Sequence, residues 1–407
     1  MGQVVRGGEQ FETAIAADFR GAILKRGPDS GEVDAFGRER VSTPFTLFDS
    51  TLRYTKRTDL WFEKATGSAT FTYSVNESAL DIGIGTASGN VGLRRTKRRF
   101  PYQPGKSLMV MQSFVLATPA AGVKQDIGLF DDDNGVMFRI DGTTAQFVIR
   151  SKASGSVVEN VINQDSWNID TFSDLDLTKV QIFIADMEWL GSGRVRCGFV
   201  IDGEIKYCHE FNHANSNSTV YSTTAILPLS YRIESTGTLA SGASMKQICS
   251  TVMSEGGYEP SGPIYTVGRG ASGVSSISAE EVVAGIRMAS GREGNVIMPA
   301  QVDATIEGNT TAQWRLRLNP TISSGTWTAA DNGRGNVETL AAATITGGTV
   351  VAAGLVGTRG SASLATKSAL ELSLGVDENG NSDVLVLTLE ADSSTKGTGL
   401  LGWRELV

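Results

Sequence analysis

Cysteine, histidine and proline are all scarce in this chain of 407 residues, at 3, 2 and 10 copies. The three cysteines, Cys197, Cys208 and Cys249, show no Cys-x-x-Cys spacing, so a zinc ribbon or thioredoxin-type centre is excluded. Cys197 and Cys208 could pair across a hairpin, but an odd count without an export signal predicts free, buried thiols and synthesis in a reducing cytosol. No apolar run nears the roughly 20 residues of a membrane helix. The longest runs, such as 384–389, are strand-length, so no membrane partner is expected. Residues 1–6 (Met-Gly-Gln-Val-Val-Arg) lack the apolar core and cleavage site of a signal peptide. Basic charge is also in deficit, with 36 Lys and Arg against 44 Asp and Glu, a net −8. A dedicated nucleic-acid binder needs the opposite balance.

What is present reads as β structure. Forty-seven glycines serve tight turns, and 40% apolar residues suffice for real cores. Residues 1–44 read as an extended arm, unperiodic apart from Phe11–Leu24, which has room for one or two helical turns before Gly27-Pro28 breaks them. Such an arm can order against a neighbouring subunit. Residues 45–260 alternate polar and apolar positions in about a dozen short stretches. Phe71, Tyr73 and Val75 share one face of 68–75, and 108–116 is apolar enough for a central strand. Asp141-Gly142 and Asp202-Gly203 mark hairpins. The pattern predicts a jelly-roll or lectin-like sandwich of two antiparallel sheets. Gly and Pro crowd residues 255–263, and 261–407 reads as a smaller second β-sandwich, with an exposed loop at 357–367. The fold class is therefore all-β, an arm followed by two sandwiches.

Four segments carry a resemblance: 33–49 (VDAFGRERVSTPFTLFD), 100–106 (FPYQPGK), 183–191 (FIADMEWLG) and 248–260. They resemble an uncharacterised family of tailed-bacteriophage virion structural proteins over about 33–260. The likeness is weaker over 264–407, with 312–318 and the closing Gly402-Trp403-Arg404-Glu405. The resemblance implies a part of the virion exterior, a head decoration or a tail or fibre component. Capsid or tail subunits would be its partners, with docking through residues 1–44. A homo-oligomer is expected, and threefold axes on phage surfaces favour a trimer.

Several constellations invite chemistry. His209-Glu210-Phe211-Asn212-His213 spells the zinc-hydrolase pattern, with both histidines of the chain. It requires a helix, yet here it follows a hairpin; on a strand the two Cβ atoms would stand roughly 13 Å apart, too far for one zinc. A third ligand would have to be Glu234 or another distant carboxylate. Asp131 and Asp133, in 131–135 (DDDNG), are calcium candidates of the lectin kind, against the plainer reading of a polar turn. Arg94, Arg95, Lys97, Arg98 and Arg99, beside Phe100 and Tyr102, suit an assembly contact with an acidic neighbour, a solvated edge strand, or phosphate contacts. Asp186 and Glu188 resemble part of the carboxylate strand of sandwich-fold glucanases, about 6.6 Å apart along a strand.

From these residues the expected function is a non-enzymatic virion structural component needing no cofactor. The second reading is a receptor-binding, lectin-like tail adhesin for a host surface glycan. Trp61, Trp167 and Tyr221 would then be its stacking surfaces.

Overall fold

The computed structural model describes residues 43–358, 361–365, 372–377 and 379–406. The arm, with its helical stretch at Phe11–Leu24, lies outside the described residues except for its last two. Fifteen strands build the first sandwich. In chain order they begin with β1 (Phe45–Ser50), β2 (Trp61–Thr66), β3 (Thr70–Ser74), β4 (Ala79–Ile84), β5 (Val91–Thr96), β6 (Leu108–Val115), β7 (Val123–Phe130) and β8 (Gly135–Asp141). Then come β9 (Thr144–Ser151), β10 (Val158–Asn163), β11 (Gln181–Met187), β12 (Val195–Ile201), β13 (Glu204–Phe211), β14 (Leu229–Ser235) and β15 (Ala243–Ser254).

These strands form two antiparallel sheets. One runs β13-β12-β11-β6-β15-β4-β3, with β1 also paired to β15; the other runs β10-β9-β8-β7-β14-β5-β2. On β6, the run read as apolar enough for a central strand, Leu108, Val110, Gln112 and Phe114 are buried, and Met109, Met111 and Ser113 between them are half-buried. Phe138, Phe147, Phe183 and Phe199 meet across the two sheets, Phe138 edge-on to Phe199 at 5.1 Å. Truncating any one of these rings would cost about 3–5 kcal/mol. The hairpins turn where expected. Asp202 and Gly203 both take positive φ (53° and 85°), the type I′ geometry that matches strand twist.

Open sheet edges are aggregation hazards, and β13 has a cover. Trp167 follows a 3₁₀ turn (Gln164–Ser166) and stacks on Phe147 at 4.2 Å. Behind it Asn168 imitates a partner strand, with Oδ1 accepting from Glu210 N (2.9 Å) and Nδ2 donating to Glu210 O (3.0 Å).

Residues 264–406 form further antiparallel sheets around a separate core that includes Ile286, Trp314, Leu387 and Trp403. Glu281–Met288, Val384–Ala391 and Ala312–Leu318 are central in one sheet; Val296–Ile306 and Thr395–Leu406 are central in the other. The loop expected at 357–367 is corrected in part. Ser361–Ala365 is a strand, paired with Val296–Ile306 through Ala304↔Ala362. Backbone pairing along a neighbouring strand prevailed there over a composition of small residues that reads as a loop. No helix among the described residues is long and apolar enough to cross a membrane.

Candidate functional site

The sheet edges at β10 and β13 border an open cleft of about 390 Å³. The register Val158↔Ser151 and Asn160↔Ile149 puts these four side chains on one face of the β9–β10 pair, and all four line the cleft. Across from them are Glu210, Phe211, Asn212, His213, Ser216, Asn217 and Tyr221. After β13 the chain turns on the His213 carbonyl, which accepts from Ser216 N (3.1 Å) and Asn217 N (2.9 Å) and folds 212–217 back over the cleft. The His213 ring lies flat on Tyr221, centroids 4.1 Å apart at 13°. Its Nδ1 donates to the Gly193 carbonyl at 2.7 Å, which fixes the tautomer. Burial lowers the His213 pKa against a smaller opposing effect of that hydrogen bond, so the ring is neutral near pH 7. Phe211, His213 and Tyr221 are all buried and close the inner side of the cleft, and the exposed side chains of Asn160, Asn212, Ser216 and Asn217 rim it. Such a lining can exchange hydrogen bonds with hydroxyls.

The zinc-like motif does not act as a unit. His209 lies on β13, its Nδ1 accepting from Asn168 N at 3.2 Å, and its ring meets Phe211 edge-on at 4.5 Å. His213 belongs to the cleft, and Glu234 lies on β14 in the other sheet, engaged with Lys124. Among the described residues no three His, Cys, Asp or Glu side chains are placed to hold a metal.

The calcium candidates are corrected to an internal turn. Asp131 Oδ1 accepts from Asp133 N (2.9 Å) and Asn134 N (2.7 Å), and its Oδ2 accepts from Arg99 at 2.6 Å. Asp133 pairs with Lys152 at 2.8 Å. These carboxylates are neutralised from within the chain, so the Asp-rich spelling reflects turn chemistry.

The basic run is also corrected. It is not an exposed face, because β5 is flanked by β14 and β2 and its cations find carboxylates from distant segments. Arg94 is buried, pairs with Glu63, donates to the Lys56 carbonyl and lies 5.5 Å over Trp61. Arg95 reaches Ser230 (3.0 Å) and Asp132 (3.1 Å), and Arg98 lies over Phe48 at 5.8 Å. Lys97 makes a contact of another kind. Its carbonyl accepts from Val376 N at 3.0 Å, joining the two sandwiches of one chain.

All three stacking candidates are core residues. Trp61 is 1% exposed with Nε1 donating to Ser50 Oγ, and Trp167 is 5% exposed against Phe147; neither offers a face to a glycan. Tyr221 borders the cleft but is also 5% exposed, with one ring face covered by His213. The thiols are free, but Cys249 is exposed, against the expectation of burial, because it sits in the irregular stretch of β15 between Gln247 and Ser250.

Asp186 and Glu188 are not a free pair of acids. Asp186 is buried opposite Arg196, whose Nε donates at 2.9 Å, and the Tyr207 hydroxyl donates to the same carboxylate. Burial, then Asp186, push the Tyr207 pKa up. Glu188, beyond the end of β11, is exposed.

Asn160, Asn212, Ser216 and Asn217 were missed from the sequence as site residues. The one signal was the polar stretch 212–219, which reads equally well as a turn.

No protein-family model matches the sequence. No curated protein matches it either. Solved structures do. The β-glucanase of Bacillus licheniformis is 11% identical, covering 50% of this chain and 96% of its own at a TM-score of 0.35. The CBM2 module of the evolved Dit of a Lactobacillus casei phage is 8% identical, covering 54% and 100% at 0.36. A β-1,3-glucanase of Mycobacterium marinum is 12% identical, covering 51% and 98% at 0.37. Several of the similar structures are thus named as glucanases or glycoside hydrolases, which corrects the expectation of a chain without enzymatic activity: that exclusion is withdrawn.

Proposed function

We propose that this lectin-like β-sandwich protein is a component of a tailed-phage virion that binds a host-surface saccharide in the cleft beside β10 and β13. One observation carries the binding half of the reading. The cleft gathers exposed side-chain amides and hydroxyls (Asn160, Asn212, Asn217, Ser216, with Ser151 half-buried) beside the exposed apolar side chain of Val158. Sugars are recognised by that combination, with the C–H face on apolar surface and the hydroxyls on planar amides. Segments 33–49, 100–106, 183–191 and 248–260 support the virion half through their resemblance to phage structural proteins. Capsid or tail subunits are its proposed neighbours, with a trimer on the exterior of the particle.

The test is a glycan array probed with the purified chain and with an Asn160→Ala/Asn212→Ala variant. Both positions are exposed, so the fold should survive the change. Binding to a defined set of glycans, reduced at least tenfold in the variant, is the expected result. A blank array, or equal binding by both proteins, would remove the cleft from the reading. Antibody labelling of particles would test the virion half independently.

A further inference from the structure

We infer that the cleft selects a neutral, N-acetylated saccharide; this rests on the saccharide reading above and deepens it. Charge narrows the class first. The cleft lining contains one carboxylate, Glu210, and neither Lys nor Arg. Glu210 is held by Arg194 (3.4 Å) and by Asn212 Nδ2 (2.9 Å), so its charge stays at the rim. A uronic or sialic acid would bring a second carboxylate to that rim, where Arg194 is already engaged by Glu210 and the lining holds no Lys or Arg. Like charges brought together on binding are disfavoured, and the acidic chain as a whole repels the same ligands.

The two sides of the cleft then differ in polarity. On the β9–β10 side, Val158 presents apolar surface, being 56% exposed, with Asn160 two positions along β10 on the same face, while Ile149 across from Asn160 is buried in the core. An acetamido group has the matching halves, a methyl for Val158 and a planar amide for the Asn160 side chain. A hydroxyl in the same place would lose water against Val158. The opposite side, with Asn212, Ser216 and Asn217, suits the ring hydroxyls.

Calorimetric titration of the full chain with three trisaccharides tests this: N-acetylglucosamine trimer, glucose trimer and galacturonate trimer. The N-acetylated trimer should bind at least tenfold more tightly than the glucose trimer, and the galacturonate trimer should not bind. Val158→Asp should bring the ratio of the first two near one. Equal or tighter binding of the glucose or galacturonate trimer would overturn the N-acetyl inference and leave the saccharide reading standing. An unchanged ratio in Val158→Asp would overturn the assignment of Val158. If none of the three binds at millimolar concentration and the glycan array is blank, the inference falls with the reading it rests on.

Discussion

Arg139 holds Glu159 with two parallel hydrogen bonds, from Nη1 at 2.5 Å and Nη2 at 2.9 Å, while its Nε donates to Asp126 at 2.6 Å. Arg150 reaches the same Glu159 from the next strand at 2.9 Å. Four charges from β7, β8, β9 and β10 thereby interlock on the face of the sheet that turns away from the main core. Paired forks of this kind are stronger and more directional than single surface ion pairs.

That network fixes an acid limit. Hydrogen bonding from Arg139, working against burial, lowers the Glu159 pKa from 4.5 to about 2. A carboxyl depressed by folding adds stability above its unfolded pKa and loses it as pH falls through the folded one. Urea midpoints should therefore hold down to about pH 4.5 and fall progressively towards pH 2. Glu159→Gln should be less stable at pH 7 and show a flatter profile over that window. A wild-type midpoint unchanged between these pH values would contradict the assignment.

The buried pair of Arg94 with Glu63 should respond asymmetrically. Desolvation lowers the Arg94 pKa to about 10, with Glu63 opposing it, so the fold bears a cost for this charge. Removing one partner strands the other: Glu63→Ala should destabilise by about 3 kcal/mol. Replacing both, as Arg94→Met/Glu63→Leu, should recover most of that loss. Equilibrium unfolding of the three variants is the measurement; a double variant as weak as the single one would show that the pair is needed for packing.

Strand positions were legible where burial on one face leaves a period of two in the sequence, as along Thr70–Ser74, with Phe71 and Tyr73 half-buried and Thr70 and Thr72 exposed. Asp202-Gly203 was legible because few dipeptides accept two consecutive positive φ angles. The destination of the basic run was not. Arg94, Arg95 and Arg99 are neutralised by Glu63, Asp132 and Asp131, each more than thirty residues away in one direction or the other, and no local pattern announces such pairing. The cleft was illegible for a related reason. Its lining comes from 149–160, 210–217 and Tyr221, which only the closure of two sheets brings together. Trp61 and Trp167 illustrate the converse, since a large aromatic on a strand or turn looks the same in sequence whether it faces a ligand or a core.

Tyr221 supplies a test that separates packing from binding. Its hydroxyl is buried without a hydrogen-bond partner among the described residues, and burial pushes its pKa up. An unpaired buried hydroxyl costs about 1–3 kcal/mol, so Tyr221→Phe should raise stability by about 1 kcal/mol. The ring would remain under His213, and saccharide binding should be unchanged. Thermal unfolding beside the glycan array checks both statements; a loss of stability would mean that the hydroxyl has a partner in solution.

The linker should be the first point of proteolytic attack, and one side chain should control how fast. Residues 259–263 are exposed, and the two cores on either side of them share no residue. We propose on that basis that 45–260 and 261–407 are separate domains. Besides Arg404, which donates to the Gly262 carbonyl, the linker is tied down by Gln103, whose Nε2 donates to the Glu259 carbonyl (2.6 Å) and whose Oε1 accepts from Glu259 N (3.2 Å). These bonds hold Glu259 in place, whereas a protease needs several residues extended in its cleft. Gln103→Ala should therefore be cut several-fold faster at 259–263 with no change in melting temperature, because both cores are untouched. The contacts between the halves include the bond from Val376 N to the Lys97 carbonyl and the contact of Tyr258 with Met298, and we expect cleavage to release the halves at micromolar concentration. Size exclusion should then resolve two folded fragments, each with the circular dichroism of a β protein. Fragments that co-elute, or a wild type and variant cut at equal rates elsewhere, would show that the sandwiches share a larger interface than their separate cores imply.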